Sequence, residues 1–119
     1  MVATFVDYSA AFDSVSHKFL DTALTDAGAS AKSRAIFRSI YNAASATTRV
    51  DDTDGERVQS KPFPIRRGVV QGDITSPLYF VLALQLILKR HDNVSGKGVS
   101  FAGDTIHTLA YADDAALLD

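Results

Sequence analysis

Two adjacent carboxylates, Asp113 and Asp114, follow Tyr111-Ala112 and separate two short apolar runs, 106–110 and 115–118. The pattern predicts strand, tight turn, strand, with the acids at the tip. Successive strand residues point to opposite faces, so a turn is the natural way to aim a neighbouring pair at one ligand. Like charges held so close repel unless a cation lies between them. Hard oxygen donors of this kind favour magnesium or manganese. Asp-Asp fits a solvated hairpin tip equally well, and the pair alone does not separate the two readings.

A second acid, Asp7, follows Thr4-Phe5-Val6, a run rich in strand formers. It is expected late in a strand or just past it, where functional groups of sheet proteins gather. It could equally be a plain strand end, with Asp13 starting a helix. A third cluster runs from Arg66 to Pro77. Gly68 and Gly72 bracket Gln71, which lets the backbone approach a ligand closely. Ser76-Pro77 then predicts a helix start, with Ser76 as the cap and Pro77 in the first turn. A glycine-containing loop entering a helix suits phosphate or a sugar edge, and also suits an ordinary connection.

Taken together, Phe5-Val6-Asp7-Tyr8-Ser9-Ala10-Ala11-Phe12-Asp13-Ser14-Val15-Ser16-His17, Arg67-Gly68-Val69-Val70-Gln71-Gly72-Asp73-Ile74-Thr75-Ser76-Pro77-Leu78-Tyr79-Phe80 and Ala110-Tyr111-Ala112-Asp113-Asp114 resemble three motifs of the reverse transcriptase palm, in order and with matching spacing. The likeness is to enzymes of non-long-terminal-repeat retrotransposons and covers nearly all of residues 1–119 as a partial domain, with motif regions at about 3–17, 66–80 and 108–118.

The resemblance implies an α+β polymerase palm, an antiparallel sheet backed by helices, lacking most of the fingers and all of the thumb. It implies an RNA-directed DNA polymerase that joins deoxynucleotides to a primer 3′-hydroxyl with two magnesium ions, manganese being able to substitute. RNA template, DNA primer and dNTPs are the implied partners. Asp7 and Asp113 would bond the metals directly, with Asp114 as the accessory acid. The backbone from Tyr8 would lie along the triphosphate. Phe12 would sit under the incoming sugar and exclude a 2′-hydroxyl. Gln71 and Gly72 would contact the nucleotide and the template side, and Tyr111 the primer end. Asp13, Asp73 and Ser76-Pro77 match as scaffolding. The residue types suit the chemistry: two cations about 3.5–4 Å apart need anionic oxygens converging from separate chain segments. The alternatives are an inactive retroelement remnant, or an RNA-interacting piece without catalysis. An RNA-templated RNA polymerase is opposed by Phe12. The isolated 119-residue chain is itself expected to be inactive.

Composition sets the limits. The chain has 119 residues, 46% hydrophobic, enough for one small domain with a modest core. A net charge of −2 counts against gripping a nucleic-acid duplex alone. It fits a palm whose acids are offset by metals. There is no cysteine, which excludes disulfides and suits an intracellular protein, with nucleus and cytoplasm not distinguished. No apolar run is long enough to span a membrane, and no signal peptide is visible.

The positioning elements can be read from caps and periodicity. A strand is expected over 2–7. Helices are expected from Ser16 to about Ala27, with Gly28 as the stop, and from Ser30 to about Ala44. Asp54-Gly55 predicts a hairpin joining 47–50 to 56–59, with Asp51, Asp52 and Asp54 as solvated turn acids. Pro62 and Pro64 keep their stretch off a central strand. Arg66 and Arg67 are either solvated or phosphate-contacting. A helix from Pro77 to about Arg90 is apolar nearly all round, which predicts burial on several sides. His17 and His91 are expected at the surface, a general-base role for His107 is not, and 99–101 is expected to be a short strand.

Overall fold

The computed structural model describes residues 2–51, 56–92, 98–111 and 113–118. Strand β1 (Ala3–Asp7) comes first, then a one-turn helix α1 (Ala11–Ser14) that the sequence did not signal. Ala10 starts that turn in the left-handed region, at φ 49°, and its carbonyl accepts from the N–H groups of Asp13 and Ser14, both at 3.0 Å.

Helices α2 (His17–Asp26) and α3 (Ala31–Ala43) begin where the capping signals place them. Ser16 Oγ accepts from the Phe19 N–H at 3.2 Å, and Ser30 Oγ from the Ser33 N–H at 3.1 Å. Helix α2 ends at Gly28, φ +80°, where the N–H groups of Gly28 and Ala29 donate back to the Thr25 and Leu24 carbonyls. Arg38 reaches across from α3 to Asp21 of α2 with two bonds, at 3.1 and 2.6 Å. The bonded guanidinium holds the Asp21 carboxyl below its ordinary range.

Three small antiparallel pairs and one larger sheet follow. β2 (Ser45–Ala46) pairs with β5 (Phe63–Pro64), and β3 (Arg49–Asp51) with β4 (Arg57–Gln59). Pro64 thus lies on an edge, as expected. Of the expected turn acids, Asp51 lies 3.7 Å from Arg57. Asp52 and Asp54 fall outside the described residues. Helix α4 (Ser76–Asp92) precedes the hairpin of β6 (Val99–Phe101) and β7 (Asp104–Ile106). β8 (Thr108–Tyr111) and β9 (Asp114–Leu118) complete a three-stranded sheet with β1, in the order β1-β9-β8. The run 106–110, read as one strand, is therefore two. His107 separates them, and its carbonyl accepts from the Leu118 N–H at 2.8 Å.

The fold is mixed α+β, but the core is mostly helical. Leu20, Ala23, Leu24, Phe37, Tyr41, Ala83 and Leu86 form the main buried cluster, joined by Val69 from a loop. Ala11, Phe80 and Leu84 form a second. Neither takes a buried residue from the three-stranded sheet, whose buried apolar residue is Ala115. A sheet rich in alanine has little apolar area to offer a helix layer, so the expected sheet backed by helices is met only in part. Helix α4 buries Ala83 and Leu86 in the first cluster and Phe80 and Leu84 in the second, while Leu78, Val81 and Ile87 are exposed. The expected burial on several sides is met in part.

One contact fixes the arrangement of the middle of the chain. Gly68 lies against residues 12 and 13: a Cβ there would sit 2.7 Å from Asp13 Cα and 2.9 Å from the Phe12 and Asp13 carbonyl oxygens, and its φ is +79°. Gly68→Ala therefore combines steric overlap with backbone strain and should cost about 2–5 kcal/mol. Gly28→Ala has open space and should cost only about 1–2 kcal/mol. Urea unfolding of the two variants checks the difference; equal losses would contradict the packing.

Candidate functional site

The acids meet at one end of the three-stranded sheet. β1 and β9 pair so that Asp7 stands directly opposite Asp114 and Phe5 opposite Ala116. β9 and β8 pair Asp114 with Tyr111 and Ala116 with Leu109. Directly opposed residues share a face. Phe5, Asp7, Asp114, Tyr111 and Leu109 therefore project from one side of the sheet, around a hollow of about 510 Å³. That face is open: Phe5 is 82% and Tyr111 85% exposed. Two residues separate Tyr111 from Asp114, so Asp114 already belongs to a strand. Asp113 is half-buried in the turn, one position outside the paired register.

The register thus matches Asp7 with Asp114, the acid expected to be accessory, and leaves Asp113 beside them. Among the described residues, no group of three acidic or histidine side chains is placed to hold one metal ion. In kind, the donors fit a hard divalent cation, since all three are carboxylates. Like charges directly opposed across an antiparallel pair are also unfavourable without a counter-ion.

A second cleft, of about 360 Å³, gathers Phe12, Gln71 and Gly72 with Asp73, Ser76 and Pro77. Three residues expected to touch a nucleotide thus line one cleft, although they come from segments far apart in sequence. The Phe12 ring stacks on Phe80 of α4, with centroids 4.3 Å apart and planes 21° apart. Gln71 Nε2 donates to Asp13 Oδ1 at 3.4 Å. Gly72 has φ +88° and open space around it. Gly68 uses its missing Cβ differently: the close approach predicted for a ligand is made by the chain's own backbone at Asp13. Tyr8 lies apart from this cleft. Its half-buried side chain lines an apolar cavity of about 480 Å³ with Val15, Phe19, Arg67 and Phe80.

The loop is built differently from the expected cap. Ser76 is buried and does not cap α4; its hydroxyl donates to the Val70 carbonyl at 2.6 Å. Asp73 Oδ1 closes a local turn just before the helix, accepting from the Thr75 N–H at 2.7 Å and the Thr75 hydroxyl at 2.8 Å. Those bonds, the backbone one foremost, hold the Asp73 carboxyl below its ordinary range. Asp73 is scaffolding here, in keeping with its reading from sequence.

Two residues were underrated. His17 and His91, expected at the surface, are both half-buried. His17 Nε2 lies 3.1 Å from the Gly68 carbonyl, and its ring sits 4.8 Å from that of Tyr41. A carbonyl only accepts, so Nε2 carries the proton. Both partners are distant in sequence, so no local signal could have found them. Phe80 had no role assigned; its spacing from the loop gave no hint that it would meet Phe12.

Two outcomes follow from this geometry. In metal-free buffer, Asp114→Asn should stabilise the chain by about 0.2–1 kcal/mol through relief of the opposed charges. Millimolar magnesium should raise the melting temperature of the wild type more than that of Asp114→Asn or Asp7→Asn; equal shifts in all three would speak against a shared cation. Because the folded Asp73 carboxyl titrates low, the stability it contributes is complete above the ordinary carboxyl range and is lost as pH falls from about 5 through its lowered value. Acid melting curves of Asp73→Asn should therefore be flatter than wild type over that window.

Comparison with known proteins places the chain in a family. The model of the family "Reverse transcriptase (RNA-dependent DNA polymerase)" matches residues 1–118. A "Retrovirus-related Pol polyprotein from type-1 retrotransposable element R2" of Popillia japonica is 33% identical over 114 residues, covering 96% of this chain. The chain spans about 16% of that protein's length. On both grounds, the chain belongs to the reverse transcriptase family, of the non-long-terminal-repeat retrotransposon type.

Proposed function

We propose that these residues form the palm of an RNA-directed DNA polymerase, acting on an RNA template, a DNA primer and dNTPs. The observation that carries the reading is the register that sets Asp7 opposite Asp114, with Asp113 next along the turn. Asp7 and Asp113 would bond the metals, with Asp114 beside them. Two magnesium ions bound there, or manganese in their place, would activate the primer 3′-hydroxyl and neutralise the leaving pyrophosphate.

The chain's own residues bind and orient. Tyr111, exposed on the face that carries Asp7 and Asp114, is available to a primer end. The backbone at Tyr8, next after Asp7, would follow the triphosphate. In the cleft, Phe12 presents an aromatic ring that its stack on Phe80 keeps in place. A ring held in that way leaves little room for a 2′-hydroxyl. Gln71 and Gly72 form the exposed lip across from Phe12, where a base or sugar edge can approach the backbone.

A second reading applies to the chain by itself: a piece of a larger enzyme that does not catalyse alone. The separation of Asp113 from the Asp7–Asp114 register favours it.

The test uses a full-length polymerase carrying this domain. Asp7→Asn and Asp113→Asn should each lower RNA-templated DNA synthesis by about 10²-fold or more, with unchanged melting curves. Near-normal synthesis by either variant would remove that residue from the metal-bonding role. Primer extension by the 119-residue chain alone should be undetectable with either cation.

A further inference from the structure

The loop from Val69 to Thr75 carries Gln71 and Gly72 into the cleft shared with Phe12, and it is held at both ends. At the far end Ser76 Oγ donates to the Val70 carbonyl at 2.6 Å. At the near end three consecutive residues grip the chain. The Gly68 N–H donates to the Val15 carbonyl at 2.8 Å, Arg67 pairs with Ser16 in an antiparallel bridge, and the Gly68 carbonyl accepts from His17 Nε2 at 3.1 Å. The first two contacts use backbone atoms alone. The third needs the imidazole.

The peptide unit joining Gly68 to Val69 is thus fixed from both sides. Its N–H donates to the Phe12 carbonyl at 2.9 Å, and its C=O is held by His17. A peptide next to a glycine is the one most free to rotate, so a bond at each end has an unusual effect here. It sets Phe12 and the start of the Gln71 loop in one frame. The imidazole is itself anchored: it rests on Tyr41, which is 3% exposed and packs against Phe37 and Tyr79. Helix α3 therefore positions His17, and His17 positions the loop.

We propose that His17 is a positioning residue for nucleotide selection: by holding the Gly68–Val69 peptide it fixes the distance between Phe12 and the Gln71-Gly72 lip, and with it the fit of the incoming sugar. This rests on the assignment of that cleft to the nucleotide made above. His17 touches no reacting atom; its effect passes through the loop.

In the full-length polymerase, His17→Phe keeps a ring against Tyr41 and removes the donor, whereas His17→Gln keeps a donor of similar reach. Steady-state kinetics with single dNTPs and with ribonucleotides should show KM for dNTP raised about 3- to 10-fold in His17→Phe. Its kcat should be little changed, and its preference for deoxynucleotides should be reduced. His17→Gln should recover most of both. An unchanged KM and sugar preference in His17→Phe would overturn the proposal. So would a His17→Gln enzyme as impaired as His17→Phe, losses that simply follow a fall in melting temperature, or a His17→Phe chain that does not fold. A wild-type enzyme that makes no DNA on RNA would overturn the polymerase reading and this one together. A working wild type with an indifferent His17→Phe variant overturns this one alone.

Discussion

The close approach of Gly68 to the backbone of Phe12 and Asp13 is the contact around which the rest of the chain is arranged. It brings the segment after β1 against the segment before α4. Only a residue without a Cβ permits that distance, and φ +79° lets the chain turn away again at once. Three backbone links then become possible, from Gly68 to Val15, from Val69 to Phe12 and between Ser16 and Arg67. Val69 is drawn into the core beside Leu20 and Ala83. Phe12 is brought over Phe80, and Gln71 within reach of Asp13. Local hydrogen bonds at Ser16, Asp73 and Ser76 are compatible with many folds. This one contact selects among them.

The acids and the cleft beside Phe12 belong to different parts of the structure. The carboxylates depend on strand pairing in a sheet whose open face carries Phe5, Leu109 and Tyr111. The cleft depends on helices and a loop packed by aromatic rings. Between Asp7 and Phe12 the chain passes through Ala10, a residue with a Cβ at φ 49°. That conformation costs about 1–2 kcal/mol, offset in part by the two N–H groups that Ala10 caps. The connection is short and constrained, so any change in the angle between sheet and helices must be taken up within a few residues.

Much of the scaffold was legible because its signals are local. Ser16 and Ser30 cap helices through their own hydroxyls, Gly28 ends one by its own φ, and Pro64 sits at an edge for want of an N–H. Of the residues the motifs single out, Phe12, Gln71 and Gly72 line one cleft, while Tyr8 lines another. What was not legible depends on partners distant in sequence. Ser76 looked like a cap, but its hydroxyl bonds the Val70 carbonyl instead, and Asp73 closes the turn before the helix. His17 looked exposed because nothing local shows that Tyr41 and Gly68 will close over it. Helix α4 is apolar nearly all round, yet periodicity cannot say how many neighbours will cover it. The split of 106–110 at His107 comes from two hairpins claiming adjacent residues, which hydropathy does not register.

The spacing between Tyr111 and Asp114 carries a parity. Strand side chains alternate between faces with a period of two, so one residue added to or lost from that connection would rotate all of β9 relative to β8. Asp114 would then look out from the reverse side while Asp7 stayed where it is, and Ala115, now buried, would take its place on the open surface. The count of residues at this tip therefore cannot shift by an odd number without undoing the meeting of the two strands' acids.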